Sequence, residues 1–103
     1  AAILEEVSNK KAARILQLTD TARVVELLKH LTVSKAANVM VEIDVEKASK
    51  IVEKMAEADV KSAARILEEM ASINLTRTAE VLEKTQTMTT AKLILEIANL
   101  QRY

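Results

Sequence analysis

The sequence predicts an all-α fold, an array of about seven short helices on a twelve-residue repeat. Three observations predict it. The 103 residues include no Gly and no Pro, so the tight hairpins of a sheet have none of their usual turn residues. A block of two small residues followed by an aliphatic pair recurs, most plainly as Ala12-Ala13-Arg14-Ile15-Leu16 and Ala63-Ala64-Arg65-Ile66-Leu67. Ahead of nearly every block stands a short polar residue of the kind that caps a helix N-terminus.

Set in register, the units begin at Ser8, Asp20, Thr32, Asp44, Asp59, Asn74 and Gln86, with starts twelve residues apart except after Asp44 and Asp59, where the spacing is fifteen. Residues 1–7 match the end of a preceding unit, since Ala1-Ala2-Ile3-Leu4-Glu5-Glu6-Val7 aligns with residues 64–70. Slots five, six, eight and nine are apolar or small. The first unit supplies Ala12, Ala13, Ile15 and Leu16, the second Val24, Val25, Leu27 and Leu28, and the third Ala36, Ala37, Val39 and Met40. The fourth repeats this with Ala48, Ser49, Ile51 and Val52 and adds Ala56-Glu57-Ala58; the fifth has the block at Ala63 and adds Ala71-Ser72-Ile73. The sixth carries Thr78, Ala79, Val81 and Leu82, and the seventh Thr90, Ala91, Leu93 and Ile94. Slot twelve is usually apolar, as at Leu31, Ile43, Met55, Met70 and Ile97, but it is Thr19 and Thr85 in two units. Slots three, four, seven, ten and eleven are mostly charged or polar, so each unit has one apolar stripe at helical spacing.

Structural N-caps are expected at Ser8, Asp20, Thr32, Asp44, Asp59 and Asn74, whose side-chain oxygens accept from first-turn amides. Gln86 departs from this pattern, and its helix takes Thr87 or Thr89 as cap. A single long helix is disfavoured: twelve residues at about 100° each carry the stripe about 120° past three full turns, and no coiled-coil seam survives such a drift. Breaks are therefore expected near residues 19–20, 31–32, 43–44, 56–59, 71–74 and 85–87, between helices of about nine or ten residues.

Composition narrows the function classes. Fifteen basic residues balance fifteen acidic ones, which leaves no electrostatic footprint for nucleic acid or an anionic membrane. No apolar run is long enough to span a bilayer. With no Cys, thiolate chemistry and a disulfide framework are absent, and the redox compartment is open. His30, the only His, stands in a polar slot with no second ligand type near it in sequence and reads as a solvated side chain. Glu5-Glu6 and Glu68-Glu69 read as solvated carboxylates rather than metal ligands, and Asp20, Asp44 and Asp59 as caps rather than a carboxylate row. Lys10, Lys11 and Arg14 form a small basic patch with no aromatic for base stacking. The four Met residues fill gaps in an aliphatic core. No nucleophile-and-base constellation is present, so the chain is expected to be no enzyme, with no cofactor.

The units Asp44-Val45-Glu46-Lys47-Ala48-Ser49-Lys50-Ile51-Val52-Glu53-Lys54-Met55 and Asp59-Val60-Lys61-Ser62-Ala63-Ala64-Arg65-Ile66-Leu67-Glu68-Glu69-Met70 carry a resemblance. They are similar to the Asp-Pro-x-x-Ala-Ala-x-Ile-Leu-x-x-Met repeat of the intracellular N-terminal domain of MgtE-type magnesium transporters. Related right-handed helical arrays occur in the flagellar motor protein FliG. Here the Pro after the cap is replaced by Val45 and Val60, and the Glu-His-Pro-Gln-Arg signature of FliG is absent. The resemblance implies a right-handed superhelical array, a solenoid, acting as a protein-interaction or regulatory module. Magnesium enters only through it. The repeats also resemble those of long surface proteins of methanogenic archaea, which makes a structural spacer the alternative.

Residues 1–103 are expected to form a single helical-repeat domain, a fragment of a longer chain, since the sequence opens in mid-repeat. The partner is a protein or further repeats of its own chain. The compartment is cytoplasmic for a transporter-like domain and extracellular for a surface repeat. Val41, Met88 and Leu95 are the candidate protein contacts: Val41 and Leu95 are apolar in a slot the repeat reserves for solvent, and Met88 shares the unit of Leu95.

Overall fold

The computed structural model describes residues 5–85 and 87–101, without the side chains of Thr87 and Met88. Among the described residues are seven helices and no strand. They are α1 (Asn9–Gln17), α2 (Thr21–Leu28), α3 (Val33–Met40), α4 (Val45–Ala58), α5 (Val60–Ile73), α6 (Leu75–Lys84) and α7 (Thr87–Leu100).

Two kinds of junction follow from the two unit lengths. After a twelve-residue unit the helix tightens into a turn. Leu18 and Thr19 donate to Ile15 and Leu16 oxygens, and Glu42 and Ile43 do the same to Val39 and Met40. Such three-residue closures satisfy carbonyls that a helix end leaves open. The next cap then sits in extended backbone, with φ −66 and ψ 151 at Asp20 and φ −63 and ψ 153 at Asp44. After a fifteen-residue unit no turn remains. Asp59 ends α4, donating its N–H to the Met55 oxygen at 2.7 Å, and also begins α5. Asn74 joins α5 to α6 in the same way. The three added residues are thus helical, and α4 and α5 reach 14 residues where the repeat alone predicts nine or ten. Ala56-Glu57-Ala58 and Ala71-Ser72-Ile73 contain no helix breaker, and a strong cap one residue on gives the only reason to stop. No described residue has positive φ, so neither junction needs glycine. Gln86 lies outside the described residues. Thr89 lies within the first turn of α7 and not ahead of it.

The helices pack chiefly on their second neighbours. α1 packs on α3, α3 on α5 and α5 on α7; α2 packs on α4 and α4 on α6. The two rows meet where α5 contacts α4 and α6. The core is one cluster of small and branched side chains, including Ala12, Leu16, Val24, Leu28, Met40, Ile43, Ile51, Leu67, Met70 and Leu93. Ala13, Ala37 and Ala64 are buried, and side chains this small allow a close approach of neighbouring backbones. Three polar side chains share the core, Ser49, Thr78 and Thr85, and each hydroxyl donates to a carbonyl one turn back. That satisfies the group locally and spares the cost of an unpaired buried hydroxyl.

Candidate functional site

Six side chains stand at helix starts and accept a first-turn amide: Ser8 from Lys11, Asp20 from Arg23, Thr32 from Lys35, Asp44 from Lys47, Asp59 from Ser62 and Asn74 from Arg77. The Ser62 hydroxyl also donates to Asp59, at 2.8 Å. The side-chain and backbone hydrogen bonds of Ser62 hold the Asp59 carboxyl below its ordinary pKa, because both favour the charged form.

Two of these caps belong to a larger joint that sequence periodicity does not announce. Gln17 Oε1 accepts from the Asp44 N–H at 3.0 Å, while Gln17 Nε2 donates to the Asp44 carboxylate. Lys47 Nζ reaches back to the Thr19 carbonyl. One step earlier, Glu5 accepts from the Thr32 N–H at 3.2 Å and from its hydroxyl at 3.1 Å. Lys35 Nζ donates to the Val7 carbonyl and to Asn9 Oδ1. In each case a slot-ten side chain covers the cap three units on, and a slot-four lysine covers the end of the earlier unit. Glu5 is therefore bonded rather than simply solvated. The signal exists in the sequence as Glu or Gln followed 27 residues later by a cap and 30 later by Lys, but it is legible only once it is known which helix ends meet.

Val41 and Leu95 differ in setting. Val41 ends α3 and is partly buried against the core, so it is less open than a slot-ten residue is expected to be. Leu95 is 65% exposed, beside exposed Ile94 on α7. The side chain of Met88 lies outside the described residues. Met40, Met55 and Met70 are buried core residues. His30 is exposed.

Two apolar surfaces lie outside the positions singled out by the repeat. At one end Leu18 is 86% exposed and Ile15 47%, flanked by Lys11 and Arg14. At the other end a groove of about 470 Å³ runs between α5, α6 and α7. Leu67 and Ala71, Leu75, Ala79 and Leu82, and Ile97 line it, with Glu68 as the charged residue on its wall. Leu75 is 69% exposed. Among the described residues no three of His, Asp and Glu are grouped to hold a metal ion, and no helix is long and apolar enough to cross a membrane.

Residues 1–72 match the family model described as the MgtE intracellular N domain. No curated protein and no solved structure matches the chain.

Proposed function

Since the chain belongs to the MgtE intracellular N domain family, we propose that it is a regulatory, protein-binding helical-repeat module and not an enzyme. The observation that carries this reading is the family match over residues 1–72. The second-neighbour packing of α1 through α7 supports reading the module as a solenoid whose unit is the twelve-residue repeat, right-handed as in the arrays it resembles. Such arrays present long continuous faces, and a module of this kind works by holding or releasing a partner surface. The contact face is the outer side of the α1–α3–α5–α7 row, centred on Ile94 and Leu95, with Val41 and Met88 on the same row.

Magnesium requires several oxygen donors converging in octahedral geometry. The cap carboxylates of Asp20, Asp44 and Asp59 are each engaged by first-turn amides, and no other described group of acids converges. The described residues do not fit a magnesium ion held by this chain alone; further carboxylates from a partner would have to complete a site.

The chain has no Cys, so Leu95→Cys and Lys29→Cys each create a unique thiol, on opposite rows. A thiol-linked photocrosslinker at position 95 is expected to join the module to a protein partner in the cells that make it, and at position 29 to give little product. Equal yields from both positions, or none from position 95, would overturn the assignment.

A further inference from the structure

The equal totals of acid and base hide an unequal placement. Slots three, four and seven face away from the core. On α2, α4 and α6 these slots mix signs, with Arg23, Lys47, Lys50 and Arg77 against Glu26, Glu46 and Glu80. On α1, α3, α5 and α7 they hold Lys10, Lys11, Arg14, Lys35, Lys61, Arg65 and Lys92, and no acid. Lys35 is half-buried and tied to Val7 and Asn9. The other six are exposed. Among the described residues none of the six is in an ion pair; Lys29 and Glu26 form the only one.

These bases fall on one side of the row because its helices start on one side. Lys35 Nζ reaches Asn9 Oδ1 at 2.8 Å, which sets the first turns of α1 and α3 together. Lys29 after α2 and Ala58 at the end of α4 line one cleft. Val33 begins α3 and Val60 begins α5 just beyond these residues, so α3 and α5 also start on the same side. Gln101 donates to Glu68 at 3.2 Å, which sets the later turns of α5 beside the end of α7. The acids of the same row, Glu42, Glu68, Glu69 and Glu96, all stand in slots ten and eleven, toward the helix ends. Glu42 lines a cleft with Lys10, Arg14 and Gln17. Nearer the starts, Asp59 is engaged by Ser62 and feels the charge of Arg65, Glu57 lies in the α2–α4 cleft with Lys29 and Lys54, Glu5 is turned to the Thr32 cap, and Glu6 is exposed ahead of α1.

The result is a basic band beside an acidic one. Slots three and seven are about 6 Å apart along a helix axis, so the basic band is narrow. A bilayer surface or a nucleic-acid duplex is wider and would lie over the acids as well. The one aromatic of the chain is its last residue, Tyr103, so no ring among the described residues can stack on bases. With packed helix axes about 8–10 Å apart, the band runs about 24–30 Å from α1 to α7, which an extended segment of about eight residues covers. We propose that the band across α1, α3, α5 and α7 binds an extended acidic segment of a protein partner. The proposal rests on the reading of this row as the contact face and names the chemistry it holds.

Fluorescence anisotropy tests it with a dye-labelled peptide of about eight residues, alternating Glu and Ser. A Lys-Ser peptide, a short DNA duplex and phosphatidylserine vesicles serve as comparisons. The wild type is expected to bind the acidic peptide and not the basic one, more weakly as salt rises. Lys10→Glu with Lys11→Glu, and Lys61→Glu with Arg65→Glu, should each weaken binding by about tenfold or more. Lys50→Glu with Lys54→Glu makes the same change of charge on α4 and should leave binding unchanged. Should either row variant lose its helical melting transition, the matching Gln substitutions carry the comparison. A wild type that ignores the acidic peptide overturns the proposal. So does an equal loss in all three variants, or full binding by either row variant. Tighter binding of the duplex or the vesicles than of the peptide also overturns it, and assigns the band to a nucleic acid or a membrane. Crosslinking of a partner from position 95 by a chain that ignores the peptide removes the acidic segment alone and leaves the contact face standing. Equal crosslinking from positions 95 and 29, with peptide binding lost only in the row variants, removes the assignment centred on Leu95 and leaves the band.

Discussion

Asp44 and Asp59 perform one chemical task in two backbone settings. Asp44 follows a turn with φ −63, and its own N–H is taken up by Gln17 Oε1. Asp59 has φ −160 and ends one helix while starting the next. Asp44→Ala and Asp59→Ala should each cost about 1 kcal/mol, the usual loss for an N-cap, read from urea unfolding midpoints. Shifts below a few tenths of a kcal/mol at both would reject capping. Asp59 adds a pH signature. Its folded pKa is depressed, chiefly by the Ser62 hydroxyl, so its contribution is present above the unfolded value and is lost as pH falls through the folded one. Ser62→Ala should move the Asp59 carboxyl midpoint, followed by NMR, up toward the ordinary value. An unmoved midpoint would show that the hydroxyl is not the cause. The cap positions are legible in the sequence because Ser, Asp, Thr and Asn recur in one slot. Gln17, Glu5, Lys35 and Lys47 are not, because their partners sit on other helices and no local pattern marks the pairing.

Helix ends show how far a repeat constrains an element. The breaks expected near residues 19–20, 31–32 and 43–44 coincide with junctions, because each unit restarts its stripe behind a cap; those expected over 56–59 and 71–74 contract to Asp59 and Asn74 alone, and the one near 85–87 includes Gln86, outside the described residues. The lengths of α4 and α5 are not legible in the same way: a three-residue insertion reads equally as a loop or as a further turn of helix. The cap decides, since the helix continues until Asp59 or Asn74 supplies both a carbonyl-bound N–H and a side-chain acceptor. The apolar stripe also marks which residues of a helix are small at a crossing. Ala64 is fully buried on α5, which packs against α3, α4, α6 and α7. Replacing it with Leu should overpack that crossing and destabilise the fold by roughly 1–3 kcal/mol. Calorimetry decides this, because an unchanged or raised melting temperature would mean that the slot has room.

At the scale of the molecule, stability is shared unevenly. A chain whose helices lean on second neighbours resembles a sum of units and interfaces, with each terminal helix held on one side only. α4 and α5 have partners on both sides and contain the fully buried Ile51, Leu67 and Met70. α7 is held mainly by α5, with Leu93 buried but Ala91, Ile94 and Leu95 exposed. The radius of gyration is 12.4 Å, close to the roughly 13 Å of an ordinary domain of about 100 residues, so the unevenness does not come from an extended shape. It comes from α7 resting mainly on one partner, α5. Leu93→Ala should therefore loosen α7 before anything else, since the lost contacts are those with α5. Native-state hydrogen exchange is expected to show amides of α7 opening at a small fraction of the global free energy, while those around Ile51 and Leu67 keep nearly all their protection. Loss of protection in α2 through α5 by the same factor as in α7 would mean that the chain unfolds as a single cooperative unit, and the array would then be a globular core with a repeating sequence rather than a stack of semi-independent steps.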